Sequence, residues 1–509
     1  MIFLKRHSLF RGTLLLTAAN LGLRGSAMCF QVYLSNRIGA AGIGLLQLIL
    51  SVSFLAMTIS TAGVRVAAMY LTAEEYGARR PGGMRKALLC CLLYGLVASV
   101  LGGMILYRAA DWIAVSWIRD IRAASSLRVL AWAMPVNCLW SVMAGYFTAC
   151  GRLKPLVWVE LLEQLLSIAA TVALLGLWAG SDVERACISI HLGNSAATGI
   201  TLVVLLGLAL GHRTGPIPAG LSMWRRLFRL CVPLAANDTL RSALSTTEHL
   251  LIPRGLSRSG GSSEQAMADY GTIHGMVFPV MMFPAIVFLA LADLLVPELA
   301  RCRAALDQRR IHHLTDRCLR MGLLFSATVA GLCYALSGPL CELLYHSETA
   351  GLYLRLFSPL VVVLFMDTLV DGMHKGLGEQ VYCVRVNTLT NLLDVVFLFL
   401  LLPRFGIAGY FFTFTLTHFL NFYLSLAHLL TVTGYTPRFS YICKVLLCTV
   451  AAALAAGTTA ALALPSLLAC LLALAVFGVV FGVLLLSTAA WTAPDTRWLR
   501  SVTGCRSLH

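Results

Sequence analysis

The sequence predicts an all-α polytopic membrane protein of 14 transmembrane helices, arranged as two repeated halves followed by a short C-terminal pair. Three observations predict it. Of 509 residues, 59% are hydrophobic and 12% charged, with a mean hydropathy of +0.81, so a water-soluble core would lack the polar surface to cover itself. Apolar runs long enough to cross a hydrocarbon layer of ~30 Å, about 20 residues each as helix, recur along the whole chain. Finally, one motif occurs twice where charge is expensive. Ala18-Ala19-Asn20-Leu21-Gly22-Leu23-Arg24 lies in the first apolar stretch, and Ala235-Ala236-Asn237-Asp238-Thr239-Leu240-Arg241 opens the second half. An arginine at bilayer depth costs at least ~2.5 kcal/mol on insertion scales, so two in matching places point to a shared polar cavity.

The first helix centres near Ala19. Lys5 and Arg6 before an apolar stretch resemble a signal peptide, but Arg11, Asn20 and Arg24 interrupt that stretch and no clear small-residue cleavage site follows, so it is read as a retained helix. The second to sixth centre near Phe54, Val97, Val136, Ser167 and Thr198. The seventh, near Leu240, carries the second copy of the motif, and the eighth to twelfth centre near Met282, Val329, Val363, Phe397 and Thr417. The last two, near Ala452 and Phe477, are rich in Ala and Leu. Loops are short, the longest on the outer side being Ala109 to Ser126 and Pro253 to Ala268, too brief for an extracellular domain.

A longer echo supports duplication, with the halves about 227 residues out of step. Gly145 and Gly151 answer Gly372 and Gly378, Gln164 answers Asn391, and His191 and Asn194 answer His418 and Asn421. Leucine and valine matches mean little in so apolar a chain, whereas the rarer Gly, His and Asn matches on one offset carry weight.

Orientation follows from the basic residues. Arg79 to Lys86, Arg225 to Arg229 and Arg301 to Arg320 fall on the side of the N-terminus, which places both termini in the cytoplasm. The net charge of +16 then reflects topology and contact with anionic membrane lipids. No segment is large enough for a nucleic-acid module. The 16 cysteines form no CxxC pair and sit mostly in apolar segments, so they read as small helix residues, and no metal centre is expected. No GxxxxGK[ST], HExxH or GxSxG occurs; the chain reads as a transporter with no cofactor, not an enzyme.

Several stretches carry a resemblance. Arg11-Gly12-Thr13-Leu14-Leu15-Leu16 through Arg24, Gly39-Ala40-Ala41-Gly42-Ile43-Gly44-Leu45-Leu46-Gln47, Thr61-Ala62-Gly63, Gly145 to Arg152 leading into Glu160 and Glu163, and Phe278-Pro279 through Val296-Pro297-Glu298 resemble the stage V sporulation protein B family. These are polysaccharide-biosynthesis exporters related to lipid II flippases. The resemblance implies two six-helix lobes related by a pseudo-twofold axis along the membrane normal, here residues 1–212 and 213–433, then two helices in 434–490 and a cytoplasmic tail, 491–509. It further implies alternating-access flipping of an undecaprenyl-pyrophosphate-linked glycan in the bacterial cytoplasmic membrane, for cell-wall or spore-cortex synthesis, alongside partners from that synthesis.

A diphosphate moved through the midplane requires a basic, hydrated cleft. The expected substrate-binding residues are Arg24, Arg65, Arg241, Asn20 and Asn237, arginine being suited to bidentate phosphate contact. Arg65 departs from the family pattern, which usually places a proline after Thr61-Ala62-Gly63, and snorkelling to the interface is its competing reading. Arg241 competes with an ion pair to Asp238 on the same helical face. His191, Asn194, His418 and Asn421 are expected on a polar cavity face. Asp238, Asn391, Asp394 and Thr413 supply hard oxygens for a coupling ion, Na+ or H+, by analogy with lipid II flippases that bind sodium between the seventh, eleventh and twelfth helices. Two alternatives stay open: a cation- or proton-coupled multidrug antiporter, which calls for acidic cavity residues, and a non-transport scaffold of a cell-wall or sporulation complex.

Overall fold

A computed structural model describes residues 2–61, 63–180, 182–210, 222–461 and 464–491, with side chains from Gly22 onward except at 153, 210, 290, 292–294, 460 and 461. The described residues are helical almost throughout, with no strand. Apolar membrane segments leave the backbone no solvent partner, so each N–H and C=O is satisfied within its own helix.

The helices are α1 (Ile2–Thr61), α2 (Val64–Gly77), α3 (Pro81–Ile113), α4 (Ala123–Ala149), α5 (Leu153–Leu174), α6 (Val183–Leu210), α7 (Ser222–Arg258) and α8 (Ser263–Gly271). Then follow α9 (Phe278–Met282), α10 (Ile286–Ala304), α11 (Gln308–Tyr345), α12 (Glu348–Phe357), α13 (Leu360–Gly376), α14 (Gln380–Thr433), α15 (Phe439–Gly457) and α16 (Ser466–Ser487). All 14 centres expected from the sequence lie inside helices. By length and composition, however, ten helices qualify as spans, or 11 if α12 and α13, bent by 55°, form one. The difference has physical causes. α1 and α14 each hold two segments joined at a kink, at Gly39 and Gly406, and α7 carries too many arginines to pass as a uniformly apolar span.

Contacts group the chain into two compact units: residues 1–271 with 398–406, and residues 272–397 with 407–509. In the first, Val64, Ala68 and Leu71 of α2 pack with Cys91 of α3, Cys138 and Val142 of α4, and Leu227 and Cys231 of α7. A second core joins Met143, Ala144, Tyr146 and Phe147 of α4 to Leu156 and Val159 of α5 and Leu202 and Leu205 of α6. The cysteines among the described residues are free and mostly buried. A thiol fills space like a small apolar group, which is how the sequence reads most of them.

The repeat is visible in backbone geometry. At the end of α4, the N–H groups of Cys150, Gly151 and Arg152 donate to the carbonyls of Tyr146, Thr148 and Phe147; at the end of α13, those of Leu377, Gly378 and Glu379 donate to Met373, Lys375 and His374. Each corresponding atom pair is about 227 residues apart. Gly151 and Gly378 turn the chain with φ of 67° and 72°, a left-handed conformation that costs other residues ~1–2 kcal/mol.

Candidate functional site

Arg24 in α1, Arg65 at the start of α2 and Arg241 in α7 all belong to the first unit, and all three are exposed in the isolated protein. Among the described residues neither Arg24 nor Arg241 makes an ion pair, so the Asp238–Arg241 pairing is not formed. Half-buried Asp238 instead accepts at Oδ1 from Nδ2 of exposed Asn237, at 3.4 Å. Arg65 lies near enough to Glu160 of α5 to act on it electrostatically. Asn20 falls within α1, but its side chain lies outside the described residues.

His191 of α6 and His418 of α14 repeat one local geometry. In each, Nδ1 faces the carbonyl four residues earlier, Cys187 or Phe414, at 2.9 Å. A carbonyl only accepts, so Nδ1 carries the proton and Nε2 keeps a lone pair. The His191 Nε2 is buried without a partner, and the His418 ring stacks on Phe414 with centroids 3.9 Å apart. The asparagines diverge: Asn194 is exposed and accepts weakly from Ser167 at 3.4 Å, whereas Asn421 is buried in a network.

That network spans α13 and both segments of α14, within the second unit. Asn421 Nδ2 donates to Asp367 Oδ2 at 3.0 Å, and Thr390 Oγ1 donates to Asn421 Oδ1 at 3.0 Å. Thr417 Oγ1 lies 2.7 Å from Asp394 Oδ1 and 2.9 Å from the Thr413 carbonyl. Asp394 and Thr413 are thus brought together, both buried, with Thr413 Oγ1 unpartnered. Asn391 is half-buried, and Asp238 belongs to the other unit. Thr390 and Thr417 escaped the sequence reading, although each stands four residues before a polar residue it shares a face with, Asp394 and Asn421.

A cavity of about 920 Å³ also lies in the second unit, between α11, α13, α14 and α15. Arg317, Arg320, Arg438 and Lys444 line part of it, while Leu323, Val362, Met366, Phe419 and Phe422 give it an apolar wall. Arg320 sits 4.5 Å from the centre of the Tyr441 ring, a cation–π contact that fixes its direction. Burial, with the 2.6 Å hydrogen bond to Asp316, pushes the Tyr435 phenol up, so it stays a protonated donor. In the sequence these basic residues read only as an inner-loop charge bias. Their convergence with α15 is tertiary.

The first unit holds a more polar pocket of about 610 Å³ at the α3–α4 and α7–α8 turns. Arg254 donates to the carbonyls of Ser116 and Trp117, at 2.6 and 2.5 Å, and Arg119, Glu264 and the Asp120–Arg122 pair complete the lining.

Comparison with known proteins agrees with this architecture. Stage V sporulation protein B of Bacillus subtilis (strain 168) is 20% identical over 415 residues, 79% of this chain and 80% of its own. The solved lipid II flippase MurJ, in an inward closed conformation, superposes with a TM-score of 0.69 at 11% identity, covering 93% of this chain and 99% of its own. An inward-facing multidrug resistance MATE family transporter of the MOP superfamily gives 0.65 at 15% identity, over 82% and 96%. The chain thus has the fold of these multi-pass membrane proteins. Its residues 9–302 match the polysaccharide biosynthesis protein family, and with more than half of its length so matched, this chain belongs to that family.

Proposed function

We propose that this protein flips an undecaprenyl-pyrophosphate-linked glycan across the bacterial cytoplasmic membrane by alternating access, with both termini in the cytoplasm. The observation that carries the reading is the state of Arg24 and Arg241: each lies in a helix that the sequence reads as crossing the membrane, each is exposed, and neither is neutralised by a carboxylate among the described residues. A guanidinium kept unpaired at such depth is matched by an anionic cargo. The cavity of about 920 Å³ supports the lipid half of the proposal, since a rim of Arg317, Arg320, Arg438 and Lys444 beside an apolar wall suits a phosphate carried on a hydrocarbon chain.

In this reading residues 1–212 and 213–433 are the two lobes, Arg24, Arg65 and Arg241, with Asn20 and Asn237, meet the diphosphate, and the His191 and His418 faces line the polar path. Asp394 and Thr413 are the core of a coupling-cation site, to which Asn391 contributes. The carboxylates Asp367 and Asp394 favour a second reading, an antiporter of cationic compounds. Restoring growth to cells depleted of their lipid II flippase tests the first reading, and export of a cationic dye by the same cells tests the second. Growth without dye export is expected; dye export without growth overturns the proposal.

A further inference from the structure

The second unit holds a cluster that neither the proposed cargo path nor the coupling-cation site uses. Asp371 and His374 on the last turns of α13 and Cys383 on the first turn of α14 bring one carboxylate oxygen, one imidazole nitrogen and one sulfur within 4.8 Å of one another. His374 and Cys383 are buried and Asp371 is half-buried. We propose that these three side chains bind a divalent transition-metal cation of the zinc class, leaving a fourth coordination position open. From the cysteine spacing, with no CxxC pair, no metal centre is expected, and these three ligands are spread over two helices.

Three observations support the site. The first is the state of His374: its Nδ1 faces the Val370 carbonyl at 3.1 Å and so carries the proton, while Nε2, in a side chain with no exposed surface, has no partner. Metal-binding histidines are commonly held this way, one nitrogen donating to a carbonyl so that the other presents its lone pair. The second is the carboxylate. Asp371 Oδ1 is buried and unpartnered, while Oδ2 accepts from Asn387 Nδ2 at 3.3 Å, which orients the group as an outer partner would. Oxygen, nitrogen and sulfur together form the donor set that zinc accepts, and since bonds of ~2.0–2.3 Å place tetrahedral ligands ~3.3–3.8 Å apart, the three side chains would draw together by about 1 Å on binding.

The third comes from the repeat. The same positions in the first half are Ala144, Phe147 and Leu156, and all three are buried members of one apolar core. The turn joining them keeps the same backbone hydrogen bonds in both halves. Apolar packing is therefore sufficient to hold this helix corner. In the second half three ligand-type residues take these places, a replacement that the apolar packing of the corner does not require and that a bound cation would account for. A bound cation would tie the end of α13 to the start of α14.

The test is a Co2+ titration of the purified, chelator-treated full chain in detergent, followed by the thiolate-to-cobalt absorption, with Zn2+ competing. One equivalent with thiolate character is expected, and its loss in both Cys383→Ser and His374→Gln, while Cys341→Ser, a buried cysteine elsewhere in α11, retains it. Binding that persists in both ligand variants, or no stoichiometric binding at all, overturns the proposal. Should either variant fail to fold, zinc-edge X-ray absorption on the wild-type protein decides: one sulfur with nitrogen and oxygen neighbours is the expected shell, and a shell without sulfur or with several sulfurs refutes it. Neither readout involves transport, so failure of this site and failure of the flippase reading remain distinguishable.

Discussion

Arg24 and Arg241 separate the two transport readings because a guanidinium attracts pyrophosphate and repels a cationic drug. Arg24→Ala and Arg241→Ala are expected each to abolish translocation of a lipid-linked glycan in proteoliposomes while the protein stays in the membrane. Arg24→Lys should recover part of it, since an ammonium keeps the charge and loses the planar fork. Normal glycan flipping by both alanine variants would remove the basis of the proposal. A buried threonine offers a test of stability at the same scale. Thr390→Val takes away the donor to Asn421 Oδ1, leaving an acceptor buried at a cost of ~1–3 kcal/mol, visible as a lower melting midpoint; an unchanged midpoint would mean that the network contributes nothing. The arginines were legible in the sequence because charge in an apolar run is conspicuous. Thr390 and Thr417 were not, because threonine is ordinary in a membrane helix and only the meeting of α13 with the two segments of α14 reveals its role.

Single elements carry the duplication more firmly than the sequence alone does. The turn at Cys150 to Arg152 and the turn at Leu377 to Glu379 share every backbone hydrogen bond, so Gly151→Ala and Gly378→Ala should destabilise the protein alike, by ~1–2 kcal/mol in unfolding experiments. At Gly151 no atom lies within 4 Å of an added Cβ, and at Gly378 the nearest is the end of the flexible Arg303 side chain, so backbone strain dominates both costs. A neutral outcome at either site would show that the two turns differ. The α3–α4 turn gives a pH dependence. Burial raises the Asp120 pKa, but Arg122, donating through its side chain and its backbone N–H, outweighs this and holds it below the usual carboxylate range. With the folded pKa depressed, the stabilisation is present above the unfolded value of about 3.9 and is lost as pH falls through the folded one. The melting midpoint of Asp120→Asn should therefore fall less than wild type's on acidification below about pH 4; parallel curves would exclude the pair as a source of acid sensitivity. Helix existence was legible from hydropathy at both repeats. The separate helix centres on either side of each kink imply a break, but not the residue that makes it, because a glycine in an apolar run reads equally as packing or as a break, and only φ of 72° at Gly39 and 57° at Gly406 locates it.

For the whole molecule, the apolar composition dictates a bilayer, and the distribution of Lys and Arg is what the proposed orientation rests on. Positive loops resist translocation, so each cluster between helices acts as a vote on orientation, and the votes of Arg79 to Lys86, Arg225 to Arg229 and Arg301 to Arg320 agree. α7 shows why counting spans by apolarity alone falls short: a helix of 37 residues that carries Arg225, Arg226, Arg229, Arg241 and Arg254 fails a uniform test, yet an even number of crossings between Arg229 and Arg301 requires it to cross if α8 to α10 cross once. Arg226, near its start, is also tied down, pairing with Glu74 and Glu75 at the end of α2. A periplasm-active reporter fused after Arg310 should accordingly be silent, and one fused after Ser259, in the turn between α7 and α8, should be active. Activity at both positions would mean that the α8 to α10 stretch returns to the side it left, and silence at both that α7 does not cross. In either case the C-terminal lobe would lose the parallel repeat on which the paired arginines depend, because a repeat about an axis along the membrane normal demands that the seventh and eighth helices run in the same directions as the first and second.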